Sequence, residues 1–200
     1  MPELKNGINT FHATSRQAWR KWLEKNHVSE KSIWLIIYKK ESGIKSVYYP
    51  EAVDEALCFG WIDSKPNKRD AESYFQFFSK RNQKSNWSGV NKKKVEKLIG
   101  QGLMAPAGME MIDLAKKSGT WDALTDVESL TLPADLEIMF KENRKAYDNW
   151  QRFPPSSRRG ILEWILKSKK PETRAKRIEE TVRLAGENIK ANFPNNTAVK

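Results

Sequence analysis

A chain of 200 residues with a formal net charge of +11 and a pI near 9.6 can bury one sizeable core or two small ones in contact. Hydrophobic content of 38%, with eight Trp, eight Phe and five Tyr, excludes a disordered polyelectrolyte, and a single cysteine, Cys58, excludes an intramolecular disulfide. The basic balance favours contact with nucleic acid, anionic lipid or phosphate without naming any of them.

The opening residues MPELKNGINTFHATS have no apolar h-region. The longest apolar run, IWLIIY at 33–38, is too short to cross a bilayer. Both point to a soluble, cytoplasmic protein without membrane insertion. Thr14 and Gln17 have capping-box spacing and open a helix over 14–26, with Trp19, Trp22 and Leu23 on its apolar stripe. SIWLIIYKK (32–40) reads as a central strand covered on both faces. Tyr49-Pro50-Glu51 begins a second helix, and Gly60 is placed to end it with a left-handed cap. Trp61–Asp63 then predicts a short strand, and SYFQFFSKR (73–81) an alternating one, with Phe75 and Phe77 on one face and Tyr74, Gln76 and Phe78 on the other.

After Ser88 the pattern is helical. Val95, Leu98 and Ile99 share one side of a helix that stops at Gly100 and Gly102, and Pro106 starts another through Lys117. Residues 118–132 carry turn formers without a long periodic face and read as a linker. Helices follow near 133–142, 144–152, 156–168 and 171–190, the last with Ala175, Ile178, Val182, Ala185 and Ile189 at helical spacing. The predicted fold class is α+β: an N-terminal α+β domain with a small sheet (1–117), a linker (118–132) and a C-terminal helical domain (133–192).

Chemistry is less legible. Neither histidine, His12 or His27, has metal-ligand spacing with Cys58, and no Gly-rich phosphate loop is visible, so no metal or cofactor is expected. Cys58 reads as a buried structural thiol. Asp54-Glu55 and Glu179-Glu180 read as ordinary polar-face residues, because neighbours on a helix point in different directions. Trp61 and Asp63, two apart on a strand, share a face. Together they would supply an aromatic wall and a carboxylate for a cationic or hydrogen-bonding ligand, or else core filling and an Asp–Arg pair. Tyr74, Arg81, Trp87 and Asn91 complete this candidate site for an unknown small molecule or anion. An enzyme using Trp61, Asp63 and Arg81 is a further alternative, with no catalytic residue assigned. Between Lys65 and Lys97 ten Lys/Arg stand against three Asp/Glu, with aromatics interleaved. That face, Lys92, Lys93 and Lys94 above all, is the basis of an alternative reading as a single-stranded nucleic-acid binder. The final helix carries Glu172–Lys176 and Glu179–Arg183 pairs, which suits a packing helix better than a recognition helix.

EALCFGWIDS at 55–64, SNWSGVN at 85–91 and LIGQGLM at 98–104 resemble the YdeI/OmpD-associated family of bacterial proteins. LPADL at 132–136, FPPSSRR at 153–159 and KKPETRAKRI at 169–178 are similar to the helical OmdA-type region of that family. The resemblance covers about residues 12 to 190. It implies a role in bacteriocin or antimicrobial-peptide protection or stress tolerance, by binding rather than catalysis, and brings with it no reaction, cofactor or catalytic residue.

Overall fold

Residues 33 to 37 of the apolar run are all buried, and they form the middle of strand β3 (Ser32–Tyr38), as expected of a strand with both faces covered. The computed structural model describes residues 3–193 and divides into two units, one ending at Asp122 and the other beginning at Ala123. In the first unit a five-stranded sheet has the order β1-β2-β3-β5-β4, with β1 at Leu4–Lys5, β2 at Ile8–His12, β4 at Trp61–Lys68 and β5 at Ser73–Lys80. β2 runs parallel to β3, with helix α1 (Arg16–Asn26) between them in sequence, and every other pairing is antiparallel.

Ser15, one residue beyond the expected Thr14, caps α1: its Oγ accepts from the Ala18 N–H at 3.1 Å. Trp19 and Leu23 are buried, and Trp22 stacks on Trp19 with centroids 5.1 Å apart. Helix α2 (Tyr49–Cys58) has Pro50 in its first turn, and Gly60 follows at φ +72 as the cap chemistry predicts. The strand after it is longer than the three residues expected. β4 continues through Pro66 to Lys68, with a register shift between Asp63, opposite Phe78, and Pro66, opposite Gln76. Proline has no N–H for a ladder, and an outermost strand with a bulge is where it fits.

The alternation of β5 separates two clusters. Phe78 is buried, and Tyr74 packs partly, in the main core with α1 and α2, whereas Phe75 and Phe77 join Trp34 and Ile36 on the other face. In helix α3 (Gly89–Gly100) Val95 and Leu98 are buried, but Ile99 is exposed, because the helix touches the core along a narrower stripe than the apolar pattern allows. Glu55 corrects its polar-face reading: it is 2% exposed and receives Arg16 at 2.6 Å and Arg20 at 2.8 Å from α1. Such burial is tolerable only for a paired carboxylate. Its neighbour Asp54 pairs with Lys94 of α3. Helix α4 (Pro106–Ser118) crosses the end of α2 at backbone contact. A Cβ on Gly108 would sit 2.2 Å from the Cys58 carbonyl oxygen.

The second unit is helical: α5 (Thr125–Glu128), α6 (Ala134–Glu142), α7 (Arg144–Arg152), α8 (Pro155–Leu166) and α9 (Pro171–Gly186). Leu124 and Val127, within the segment read as a linker, pack in this unit's core. Ile178, Val182 and Ala185 of α9 are buried together with Trp150, Ile161 and Ile165, and Trp164 packs partly against them. Ala175 is exposed, and Ile189 lies beyond the end of α9, after a backbone reversal at Asn188 (φ +57). Asp135 at the start of α6 is held by Arg174 of α9 at 2.6 and 2.9 Å, which keeps its carboxyl below the usual range. Among the described residues no helix is long and apolar enough to cross a membrane.

Two stability changes follow from this packing. Ile178→Ala is expected to cost ~2–5 kcal/mol, the range for truncating a buried Ile, read as a lower midpoint in chemical denaturation. Gly108→Ala forces α2 and α4 apart and is expected to cost about 1–3 kcal/mol; an unchanged midpoint would mean the two backbones are not in contact in solution.

Candidate functional site

Past the N-terminal end of α2, β4 and β5 leave a cleft of about 530 Å³ lined by Tyr49, Pro66, Asn67, Lys68, Tyr74 and Gln76. The bulge in β4 brings Pro66 opposite Gln76, and Lys68 opposite Tyr74. Tyr49, the first residue of α2, donates its hydroxyl to Asp63 Oδ2 at 2.6 Å. Burial, followed by the hydrogen bond to this carboxylate, pushes the Tyr49 phenol up to about 12. Burial also raises the Tyr74 phenol. Gln76 is 2% exposed and donates its side-chain amide to the Ser64 carbonyl within the bulge.

Of the residues picked out in the sequence, the structure brings Asp63 and Tyr74 together around Tyr49. Tyr74 lines the cleft, and Asp63 stands behind the Tyr49 hydroxyl. The others do not line it. Trp61 is 1% exposed, edge-on to Trp22 at 5.8 Å, and its Nε1 donates to the His27 carbonyl at 3.3 Å. Both Trp61 and Asp63 belong to the helix-facing side of β4, but the corner at Gly60 delivers Trp61 into the core. Arg81 does not pair with Asp63. Its guanidinium lies over Trp87 at 3.9 Å, and Nη2 donates to the Asn86 carbonyl at 2.7 Å. With no acidic partner among the described residues, burial pushes Arg81 down to about 10. Trp87 is itself buried against Trp121, and Asn91 lies in the first turn of α3, its N–H on the capping Ser88 hydroxyl at 3.4 Å.

Of the lysine triplet, Lys92 reaches Asp122 at 3.1 Å, Lys94 pairs with Asp54, and Lys93 is exposed. Phe75, Phe78 and Trp87 are buried, so these rings offer no stacking platform beside the lysines. Cys58 is 0% exposed, and burial pushes its thiol up to about 11, as fits a structural cysteine. Tyr49, Pro66, Asn67, Lys68 and Gln76 were not singled out by sequence reasoning. Two signals pointed to them: a proline inside a strand pattern, which marks a bulge, and a glutamine at an inward position among the aromatics of β5.

Residues 11–111, half of the chain, match the family model described as Domain of unknown function (DUF8412). The chain belongs to that family. The cleft, the Gly60 corner and Arg81 all lie within the DUF8412 domain. Residues 129–188 match a second model, OmdA, described as Bacteriocin-protection, YdeI or OmpD-Associated. The resemblance read from the LPADL, FPPSSRR and KKPETRAKRI motifs is borne out there. No curated protein and no solved structure matches the chain.

The Tyr49–Asp63 contact has a pH signature. The folded state raises the Tyr49 value from 10.0 to about 12. The stability this contributes is therefore fully present below pH 10 and is lost as pH rises through about 12. In an ultraviolet difference titration, Tyr49→Phe should abolish one late phenol step, and Asp63→Asn should move that step down part of the way, burial remaining. A step that stays where it is in Asp63→Asn would show that the hydrogen bond is not made in solution.

Proposed function

We propose that this protein binds a small ligand in the Tyr49–Tyr74 cleft, without transforming it, and that this binding serves bacteriocin or antimicrobial-peptide tolerance. The observation that carries the reading is the fixed polar frame of the cleft. The Tyr49 hydroxyl is held by Asp63, and the Gln76 amide by the Ser64 carbonyl. Side chains held in this way present oriented groups without an ordering cost on binding. Aromatic walls with a few placed polar groups are the usual composition of a ligand pocket. The protective role is the one named in the description of the OmdA family, and it comes to this chain through its second unit.

The test is survival. A strain lacking the gene is complemented with wild type or with Tyr49→Ala/Tyr74→Ala and challenged with a cationic bacteriocin. Wild type is expected to restore survival, while the double variant fails to do so at equal protein level, the stability lost with the Tyr49–Asp63 bond being read separately as a lower melting temperature. Equal protection by both would remove the cleft from the function.

A further inference from the structure

We infer that the cleft selects an organic cation bearing N–H donors, a guanidinium of the arginine type. The inference rests on the cleft being the ligand site and adds the chemistry of the ligand. It follows from which atoms the frame leaves over. The Ser64 carbonyl can only accept, so the Gln76 amide must turn its NH₂ group toward it. Among the described residues the Gln76 carbonyl oxygen then has no protein partner, on a side chain that is 98% covered and lines the cleft. That oxygen is not shut off from water, so it opens on the cleft as an acceptor that a ligand's donor can use. The Tyr49 proton is committed to Asp63, so Tyr49 faces a ligand with its oxygen, an acceptor made more basic by the carboxylate behind it. Asp63 Oδ1 has no protein partner among the described residues and holds the nearby negative charge. The Tyr74 hydroxyl also has no protein partner there, and can accept.

The frame therefore asks for donors, and its walls are two phenol rings, whose faces attract cations. A guanidinium supplies several donors in one plane and is weakly hydrated, so it leaves water for an aromatic cleft at less cost than an ammonium does. Among the described residues Lys68 is the one cation that lines the cleft. It is exposed, so its stem lines the cleft while its ammonium reaches solvent. There it opposes a cationic ligand and would favour an anionic one, which makes it the discriminating residue.

The experiment titrates the full chain with N-acetylarginine amide, its neutral isostere N-acetylcitrulline amide and N-acetylglutamate amide, following the backbone resonances of Tyr74 and Gln76. The arginine probe is expected to bind about ten-fold more tightly than the citrulline probe, the scale of a partly desolvated cation–π contact. Lys68→Gln should tighten it by about two- to five-fold, the size of one exposed charge interaction, and Tyr74→Leu, which keeps an apolar side chain against the core, should weaken it. Gln76→Met should also weaken it, and its melting temperature shows whether the lost Ser64 bond has disturbed the sheet. Preference for the glutamate probe, or weaker arginine binding in Lys68→Gln, overturns the cation inference and leaves the cleft as a ligand site. If no probe moves these resonances the inference falls as well, and the survival assay decides separately whether the cleft functions.

Discussion

Three consecutive peptide units at the end of α2 hold the DUF8412 domain together. The Cys58 carbonyl accepts the Ala105 N–H at 3.0 Å as the chain enters α4. Gly60 turns the backbone at φ +72, and its carbonyl accepts the Arg81 N–H at 2.9 Å as the chain leaves β5. The approach of α4 leaves no room for a side chain at either glycine of this corner. A Cβ on Gly60 would lie 2.8 Å from Met111 Cγ, and one on Gly108 would overlap the Cys58 carbonyl. Two glycines thus let a helix, a strand and a second helix meet at backbone distance, and a general apolar collapse could not supply that geometry. The rest of the first unit inherits it. Trp61 follows the turn into the core, and Asp63, two residues on and on the same face, meets the residue that starts the helix just ended.

How much of this could be read in advance depended on whether the information was local. The five buried residues of β3, the left-handed Gly60 and the two faces of β5 are consequences of residue type and period, and they are found as expected. The OmdA helices were legible for the same reason. Partners distant in sequence were not. Nothing in the order of residues says that Asp63 receives Tyr49 rather than Arg81, or that Glu55 is buried between two arginines of α1. Both require knowing how α2 lies on the sheet. β4 runs past the short strand expected at Trp61–Asp63 because an outermost strand with a bulge tolerates Pro66, and that placement is not a local property.

The charge of +11 is not spread uniformly in its effect. Several arginines and lysines are committed to structure: Arg16 and Arg20 to Glu55, Lys94 to Asp54, Arg174 to Asp135. Arg81 is committed to an aromatic ring instead. Cations whose charge is offset by an adjacent carboxylate contribute little to a long-range field, which is left to the unpaired lysines. A local arrangement of oxygens can therefore face a cleft in a protein whose total charge would suggest the opposite preference. Net charge governs how partners approach, and the oriented groups of a site govern which of them stay.

Strand β4 has one partner, β5, and its other side is the margin of the sheet. From Ser64 to Lys68 every residue is exposed, and the run holds Lys65, Pro66 and Lys68 beside the register shift. A strand from another molecule that tried to extend the sheet there would meet an imide nitrogen with no hydrogen, a local twist that spoils the ladder, and two ammonium groups to desolvate. The irregularity that shapes the cleft thus also protects the margin against edge-to-edge aggregation, the hazard of a long apolar outer strand. At the opposite margin β1 is two residues long, too short to template growth.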